Sequence, residues 1–212
     1  MRKQGRIYTG IGLLLLAAAL VLCVYNLWSD ISARKAADAV LEKLNSDIPT
    51  RSADGFSQES YIPDYILNPN MDMPEDEIDG RKYIGVLHIP ALSLRLPILS
   101  AWSYPNLRVA PCRYAGSAYL NNLVIAAHNY QSHFGKLKNL SQGDEVTFTD
   151  VDGNVFFYQV VEMETLSPYA TEEMTAGDWD LTLFTCTIGG QRRVTVRCEQ
   201  SERGDSFTSG IR

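Results

Sequence analysis

The stretch "YTGIGLLLLAAALVLCVYNLW", residues 8–28, carries no charged side chain. As a helix it rises about 31 Å at about 1.5 Å per residue, which matches the hydrocarbon thickness of a bilayer. Apolar helices buried in soluble cores are usually shorter, so the stretch reads as a membrane anchor. Tyr8, Tyr25 and Trp28 stand near its ends, where amphipathic rings prefer the membrane–water interface. Arg2, Lys3 and Arg6 precede it, with no acid among residues 1–7. The positive-inside bias then keeps the N-terminus cytoplasmic and puts everything after Trp28 outside the cell. A cleaved signal peptide has a shorter apolar core, about 7–15 residues, before a small-residue site. No good A-x-A cleavage site follows Trp28. A lipoprotein signal would use Cys23, but the preceding Leu22 is large where such a signal takes a small residue.

Charge divides the remainder. Residues 30–80 hold 12 acids against 4 bases, while residues 81–200 hold 11 against 10. The net charge of −6 and the absence of a basic stripe exclude nucleic acid as a partner. The chain reads as a cytoplasmic N-terminus (1–7), an anchor (8–28), an extracellular stalk or arm (29–80), one domain (81–200) and a tail (201–212). Within residues 31–45, Ala37, Val40, Leu41 and Leu44 recur at helical intervals among Arg34, Lys35, Asp38, Glu42 and Lys43, with Pro49 just beyond. This segment is predicted to be a helical stalk that lifts the domain off the membrane. Residues 50–80 read as irregular, with Pro63, Pro69, Pro74 and the acidic run "PEDEIDG". Tyr61, Ile62, Tyr65, Ile66 and Leu67 are too apolar for a pure linker, so an arm packed on the domain and a disordered segment both stand as readings.

From Arg81 the pattern becomes that of strands. "YIGVLHIP" and "LRLPIL" are short β-type runs with prolines at their edges. "NNLVIAAHNY" is continuously apolar at its centre, as in a strand covered on both faces. "DEVTFTD" and "NVFFYQVVEME" flank Val151-Asp152-Gly153, a hairpin signal. "DLTLFT" and "RRVTVRC" flank a second turn. The fold class is mostly β, with seven or eight strands in a barrel or sandwich and short helical stretches.

Cysteines and histidines carry the candidate chemistry. Cys23 lies in the anchor, and Cys112, Cys186 and Cys198 lie in the domain. His88, His128 and His133 are scattered without paired metal-ligand spacing, so no metal and no cofactor are expected. A thiol nucleophile needs a proton-transfer partner and a group that stabilises an oxyanion. Strand parity puts Leu181, Leu183 and Thr185 on one face of "DLTLFTC" and Thr182, Phe184 and Cys186 on the other. In "RRVTVRC", Val194 and Val196 point to the core, and Arg193, Thr195 and Arg197 point away from it. Cys186 and Arg193 then emerge on one surface. Arg192 shares parity with the valines and is less favoured, though a residue beside a turn can escape the pattern. His128 closes the apolar strand "LVIAA", His133 is its competitor, and His88 inside a strand reads as structural. Cys198 shares the valine parity and reads as a buried thiol; a Cys112–Cys198 disulfide is the other possibility for that pair.

These residues resemble the sortase family. "LTLFTC", followed by a turn and an arginine-bearing strand, is similar to the TLxTC signature. "AAHNYQSHFGKLKNLSQGD" resembles the family's histidine motif, and "YIGVLHIPALSLRLPIL" its opening strands. Ala127 stands before the histidine where many members have Gly. The resemblance spans residues 82–198 and implies an eight-stranded β-barrel preceded by a transmembrane helix. It implies Cys186 as nucleophile, His128 as general acid/base and Arg193 as oxyanion stabiliser, with Arg192 and Arg197 as alternatives because the Cys-to-Arg spacing is short. The implied activity is that of a membrane-anchored cysteine transpeptidase on the outer face of a Gram-positive membrane. It would cleave a C-terminal sorting signal of secreted proteins at a Thr–Gly-like bond, through a thioacyl intermediate. It would then pass the protein to an amine of a cell-wall precursor. The partners implied are the sorting-signal peptide, that amine and the membrane. No second apolar span follows the domain, which argues against the pilin-polymerising type and leaves the finer class open. The alternatives are a surface-anchored β-domain that binds a partner without catalysis and a Cys–His hydrolase that releases the acyl group to water.

Overall fold

A sheet that curls until its first and last strands pair has no free edge, and this chain reaches that state with eight strands. The computed structural model describes residues 2–48, 62–177 and 179–201. In chain order the elements are α1 (Arg2–Asp47), α2 (Asp64–Leu67), β1 (Asp76–Ile78), β2 (Arg81–Ile89), β3 (Leu94–Leu99), α3 (Tyr104–Leu107), β4 (Cys112–Ala115), β5 (Leu123–Ala127), β6 (Glu145–Asp150), β7 (Val155–Leu166), α4 (Thr171–Thr175), β8 (Leu181–Cys186) and β9 (Arg193–Gln200). Around the barrel the order is β2-β3-β4-β5-β8-β9-β7-β6, and β6 returns to pair with β2. β1 is a ninth, three-residue strand outside the ring, paired with the start of β2 that β6 does not reach. The eight-stranded barrel implied by the sequence is thus present, with β1 added from a segment read as irregular.

Closure rests on Gly85. It pairs with Ile98 of β3 and Asp150 of β6, and the β2 register slips beside it, between Tyr83 and Gly85. Its φ is +150°, and a Cβ there would collide with the Thr149 carbonyl oxygen. The bulge re-aims the strand, so Ile84 and Leu87 both face the barrel interior while Tyr83 and Val86 face outward.

Two apolar cores lie on the two sides of the barrel wall. The interior holds Leu87, Leu123, Ile125, Phe148, Leu183 and Val196. The second core lies outside the wall and joins Tyr83, Val86, Leu99, Cys112 and Ala126 to Val40, Leu41 and Leu44 of α1. β5 is therefore apolar throughout because it is covered on both faces, as its sequence indicated.

The second core corrects the stalk expectation. Residues 31–45 do form a helix, but it continues unbroken from the apolar stretch as one 46-residue α-helix and lies on the barrel. Ala33, Ala37, Val40, Leu41 and Leu44 are buried there. Burying a leucine side chain fully is worth about 1.5–3 kcal/mol, so Leu44 alone makes a detached stalk unfavourable. Lys43 Nζ reaches Asp79 at 2.9 Å, and Arg95 Nη2 donates to Asn45 Oδ1 at 2.6 Å. The apolar side chains of residues 11–28 have no such cover; Leu14 is 71% exposed and Val21 67%. Among the described residues this is one helix long and apolar enough to cross a membrane.

Part of the 50–80 segment packs as an arm. The Tyr65 ring stacks on Tyr119 with centroids 4.5 Å apart, and Met73 is buried in the interior core. Tyr61 and residues 49–60 lie outside the described residues.

Gly85→Ala is expected to cost about 2–4 kcal/mol, because backbone must move to admit the methyl group. Gly80 also has positive φ but open space around it, and Gly80→Ala is expected to cost only about 1 kcal/mol. Denaturant unfolding of the two variants, followed by tryptophan fluorescence, separates a steric clash from a φ penalty.

Candidate active site

β5 and β8 run parallel, with Ala127 opposite Thr185 as the last register pair. His128 and Cys186 are therefore related by register: His128 is the first residue past β5, and Cys186 is the last residue of β8. Neighbouring strands lie about 4.8 Å apart, so both residues arrive at one mouth of the barrel. The Thr185 hydroxyl donates to the Ala127 carbonyl at 2.8 Å and ties the two strands together just before them. On the other side of β8, Cys186 is the direct antiparallel partner of Arg193 on β9. His128, Cys186 and Arg193 all line one cleft of about 280 Å³.

Parity holds as the sequence indicated. Leu181, Leu183, Val196 and Cys198 face the interior core, and Phe184 packs on the outer one. The three arginines part company. Arg192 is exposed in the turn. Arg197 is 3% exposed and engaged on all sides. Its Nε donates to Glu164 Oε1 at 2.7 Å, Nη1 to Thr182 Oγ1 at 2.9 Å, and Nη2 to the Glu173 carbonyl at 2.8 Å. It thus fastens α4, whose Thr171 and Met174 form part of the cleft wall. Arg193 is half-buried, and its Nη1 donates to the carbonyls of Gly190 and Arg192 at 3.0 and 3.2 Å. Among the described residues its Nε and Nη2 make no hydrogen bond, so donors remain for a ligand in the cleft.

His128 is half-buried, and burial, with the nearby Arg108 guanidinium, holds its pKa below the ordinary histidine value. It is therefore a neutral imidazole at pH 7, able to accept a proton. His133 is fully buried, with neither ring nitrogen hydrogen-bonded, and burial pushes its pKa down to about 4. It does not line the cleft. His88 is exposed on β2, opposite Arg95 and Thr147. Cys112 and Cys198 are free thiols on opposite sides of the barrel wall, so no disulfide joins them. Burial pushes both thiols up to about 12. Among the described residues no group of three or more His, Cys, Asp or Glu side chains is arranged to hold a metal ion.

The sequence reading missed the cleft's aromatic wall. Trp102, Tyr104, Tyr114 and Phe184 line it, with the Tyr114 ring edge-on to Phe184 at 5.2 Å. Its signal was the pair of aromatics in "AWSYPNL", a loop where Ser103 caps α3 by accepting from the Asn106 N–H. Tyr130, whose ring centroid is 4.9 Å from that of His128, was missed as well.

A thiol, a neutral imidazole and a guanidinium at one mouth of a closed barrel suit acyl transfer through a thioester. The family comparisons agree. The Sortase domain family model matches residues 87–201, more than half of the chain. Sortase A of Bacillus anthracis is 23% identical over 198 residues, covering 88% of this chain and 89% of that protein. Among solved structures, a Clostridium perfringens Sortase D5 transpeptidase aligns with a TM-score of 0.55 at 19% identity, covering 81% of this chain and 99% of the other. Sortase A from Corynebacterium diphtheriae aligns at TM-score 0.52 and 21% identity, over 59% of this chain and 64% of the other, so the match spans just under two thirds of that structure. The two structural likenesses show the shared fold. The chain belongs to the sortase family, whose members are cysteine transpeptidases.

Two outcomes are expected from this geometry. Arg197→Ala strands Glu164 and frees α4, and is expected to cost about 3–5 kcal/mol. Arg193→Ala is expected to change stability by less than about 0.5 kcal/mol; thermal unfolding distinguishes the two roles. His133 has a depressed pKa in the fold, so the unfolded chain binds the extra proton first. Stability is expected to fall as pH drops from about 6.5 to about 4, by roughly 3 kcal/mol in all. His133→Phe is expected to remove that share of the acid sensitivity, measured as midpoint denaturant concentration against pH.

Proposed function

We propose that this sortase uses Cys186 as nucleophile, His128 as general acid/base and Arg193 as oxyanion stabiliser. The observation that carries the reading is the register: Ala127 opposite Thr185 aligns His128 with Cys186, and Cys186 is opposite Arg193. Cys186 Sγ attacks the carbonyl carbon of a Thr–Gly-like bond in a sorting-signal peptide, and its proton passes to His128. The oxyanion forms beside the Arg193 guanidinium, whose Nε–H and Nη2–H groups donate to it. Collapse breaks the C–N bond, and the imidazolium gives its proton to the leaving amine. The acyl half of the peptide is then held as a thioester on Cys186.

In the second half an amine of a cell-wall precursor attacks the thioester carbon. His128 accepts the amine's proton, the C–S bond breaks, and the proton returns to the thiolate. The apolar wall of Trp102, Tyr104, Tyr114 and Phe184 gives the peptide segment before the scissile bond a surface to pack against. Residues 8–28 are the single-pass anchor, residues 1–7 lie in the cytoplasm, and the barrel domain, 81–200, works outside the cell. The net basic charge of residues 1–7 and the exposed apolar face of α1 support that orientation.

The test is a library of sorting-signal peptides with and without an amine acceptor such as oligoglycine. The full chain is expected to yield the acceptor-ligated product, and mass spectrometry is expected to detect the acyl adduct on Cys186. Cys186→Ala is expected to abolish both, and Arg193→Ala to lower kcat at least about 100-fold with little change in thermal stability. Full turnover by Cys186→Ala would sink the mechanism. Cleavage without transfer to any amine would make the chain a hydrolase.

A further inference from the structure

The loop that follows β5 carries His128 and folds back on itself. The His133 N–H and Gly135 N–H both donate to the Tyr130 carbonyl, at 3.0 and 2.8 Å, and the Phe134 N–H donates to the His128 carbonyl at 3.2 Å. Gly135 is tight beneath it, since a Cβ there would meet the Asn129 and Tyr130 carbonyl oxygens at 2.6 and 2.7 Å. These contacts shape the loop but do not orient the imidazole. Among the described residues no side chain hydrogen-bonds the His128 ring. The aromatic group beside it is Tyr130, at 4.9 Å between centroids.

Tyr130 and the loop tip are held from outside the barrel, by the first two residues after the apolar stretch of α1. The Ser29 hydroxyl donates to the Tyr130 phenol oxygen at 3.2 Å. The Ser132 N–H donates to Asp30 Oδ1 at 3.0 Å. The Ser132 hydroxyl lies 2.7 Å from the same carboxylate oxygen and 3.2 Å from the Asp30 carbonyl. Hydrogen bonds to a charged acceptor are about twice as strong as neutral ones, so Asp30 is the firmer of the two holds. Each contact joins groups about a hundred positions apart in the chain, and neither serves the packing of the second core, which lies further along α1.

We propose that Ser29 and Asp30 are positioning residues for His128: the anchor helix clamps Tyr130 and Ser132 and so fixes the histidine loop for proton transfer. The inference rests on the assignment of His128 as the acid/base. It makes the anchor helix part of the catalytic apparatus as well as a tether. Proton transfer is sensitive to displacement on the scale of about 1 Å, so a loosened loop lowers turnover without weakening peptide binding in the aromatic cleft.

The experiment uses the full chain in lipid nanodiscs, with Asp30→Ala, Asp30→Asn, Ser29→Ala, His128→Ala and Asp38→Ala compared by steady-state peptide cleavage. Asp30→Ala is expected to lower kcat about 10-fold with KM within about twofold. Asp30→Asn keeps an acceptor oxygen for Ser132 and is expected to stay within about threefold of the parent. Ser29→Ala, which loses a neutral bond, is expected to lower kcat two- to threefold. Asp38, on the same helix and facing Arg34 at 3.8 Å, makes no hydrogen bond or ion pair to the loop among the described residues, and its variant is expected to match the parent. Amide hydrogen exchange at residues 129–133 is expected to accelerate in Asp30→Ala while exchange in β5 and β8 is unchanged. A kcat for Asp30→Ala within twofold of the parent, with His128→Ala inactive, overturns the clamp and leaves the mechanism standing. An active His128→Ala overturns the mechanism itself.

Discussion

Everything at the cleft depends on one parallel pairing, that of β5 with β8. Parallel strands end on the same side, so the residues that close them emerge at a common mouth; an antiparallel pair would send them to opposite ends. The price is a long crossover, and residues 128–180 supply it, including β6, β7 and α4. Two of the eight barrel strands, β6 and β7, are thus part of the connection that lets His128 and Cys186 meet. The return to β9 is short instead. The Thr187 N–H donates to the Arg192 carbonyl at 2.9 Å, and Gly189 and Gly190 take the positive φ values of 86° and 74°. That tight turn sets Arg193 opposite Cys186, so the three proposed site residues are positioned mainly by strand register, which holds geometry more firmly than loops do.

Burial then sorts residues that parity alone leaves equivalent. Arg193 and Arg197 lie on the same face of β9, four positions apart. α4 covers Arg197, and a covered guanidinium must be fully partnered; Glu164, Thr182 and the carbonyls of Glu173 and Met174 complete it. Arg193 lies past the cover, with one nitrogen on the turn carbonyls and the rest directed to no protein group among the described residues. The same logic separates the histidines. His133 is enclosed and held neutral far below its ordinary pKa, while His128 keeps one side on the cleft.

How much of this was legible follows from what each feature depends on. The alternation of Leu181, Leu183, Val194 and Val196 is local, so the inward and outward faces of β8 and β9 could be read directly, and with them Cys186 and Arg193. The long strands β2, β3, β5, β6 and β7 announced themselves in the same way. β1 and β4 did not, because strands of three and four residues exist only by pairing with neighbours. The stripe Ala37, Val40, Leu41 and Leu44 was visible, but a stripe does not say what it faces, and the stalk reading failed there. Arg193 stood first in the sequence with Arg197 as an alternative; what sets their surroundings apart is α4, which is five residues long and covers Arg197 only in the folded chain. Tyr130 and Asp30 were out of reach for the same reason: their contacts cross about a hundred positions of sequence.

The correction to the stalk changes how the domain is presented to its substrates. Sharp helix kinks arise mostly at proline, at glycine–serine pairs or at π-bulges, and residues 13–47 contain neither proline nor glycine. The apolar stretch from residue 13 on and the docked stretch are then one stiff rod, about 52 Å long at about 1.5 Å per residue. With residues 8–28 embedded as proposed, the barrel cannot tumble on a tether, because Leu44, Leu41 and Val40 seat it on that rod. A flexible linker would give the site reach; a docked helix gives it a constant attitude to the membrane instead. The histidine loop, held at Ser29 and Asp30, then stands directly where the helix leaves the apolar stretch. On the proposed reading, such a site would act on peptides and amines delivered close to the membrane surface, with its orientation toward them set by the helix proposed to anchor it.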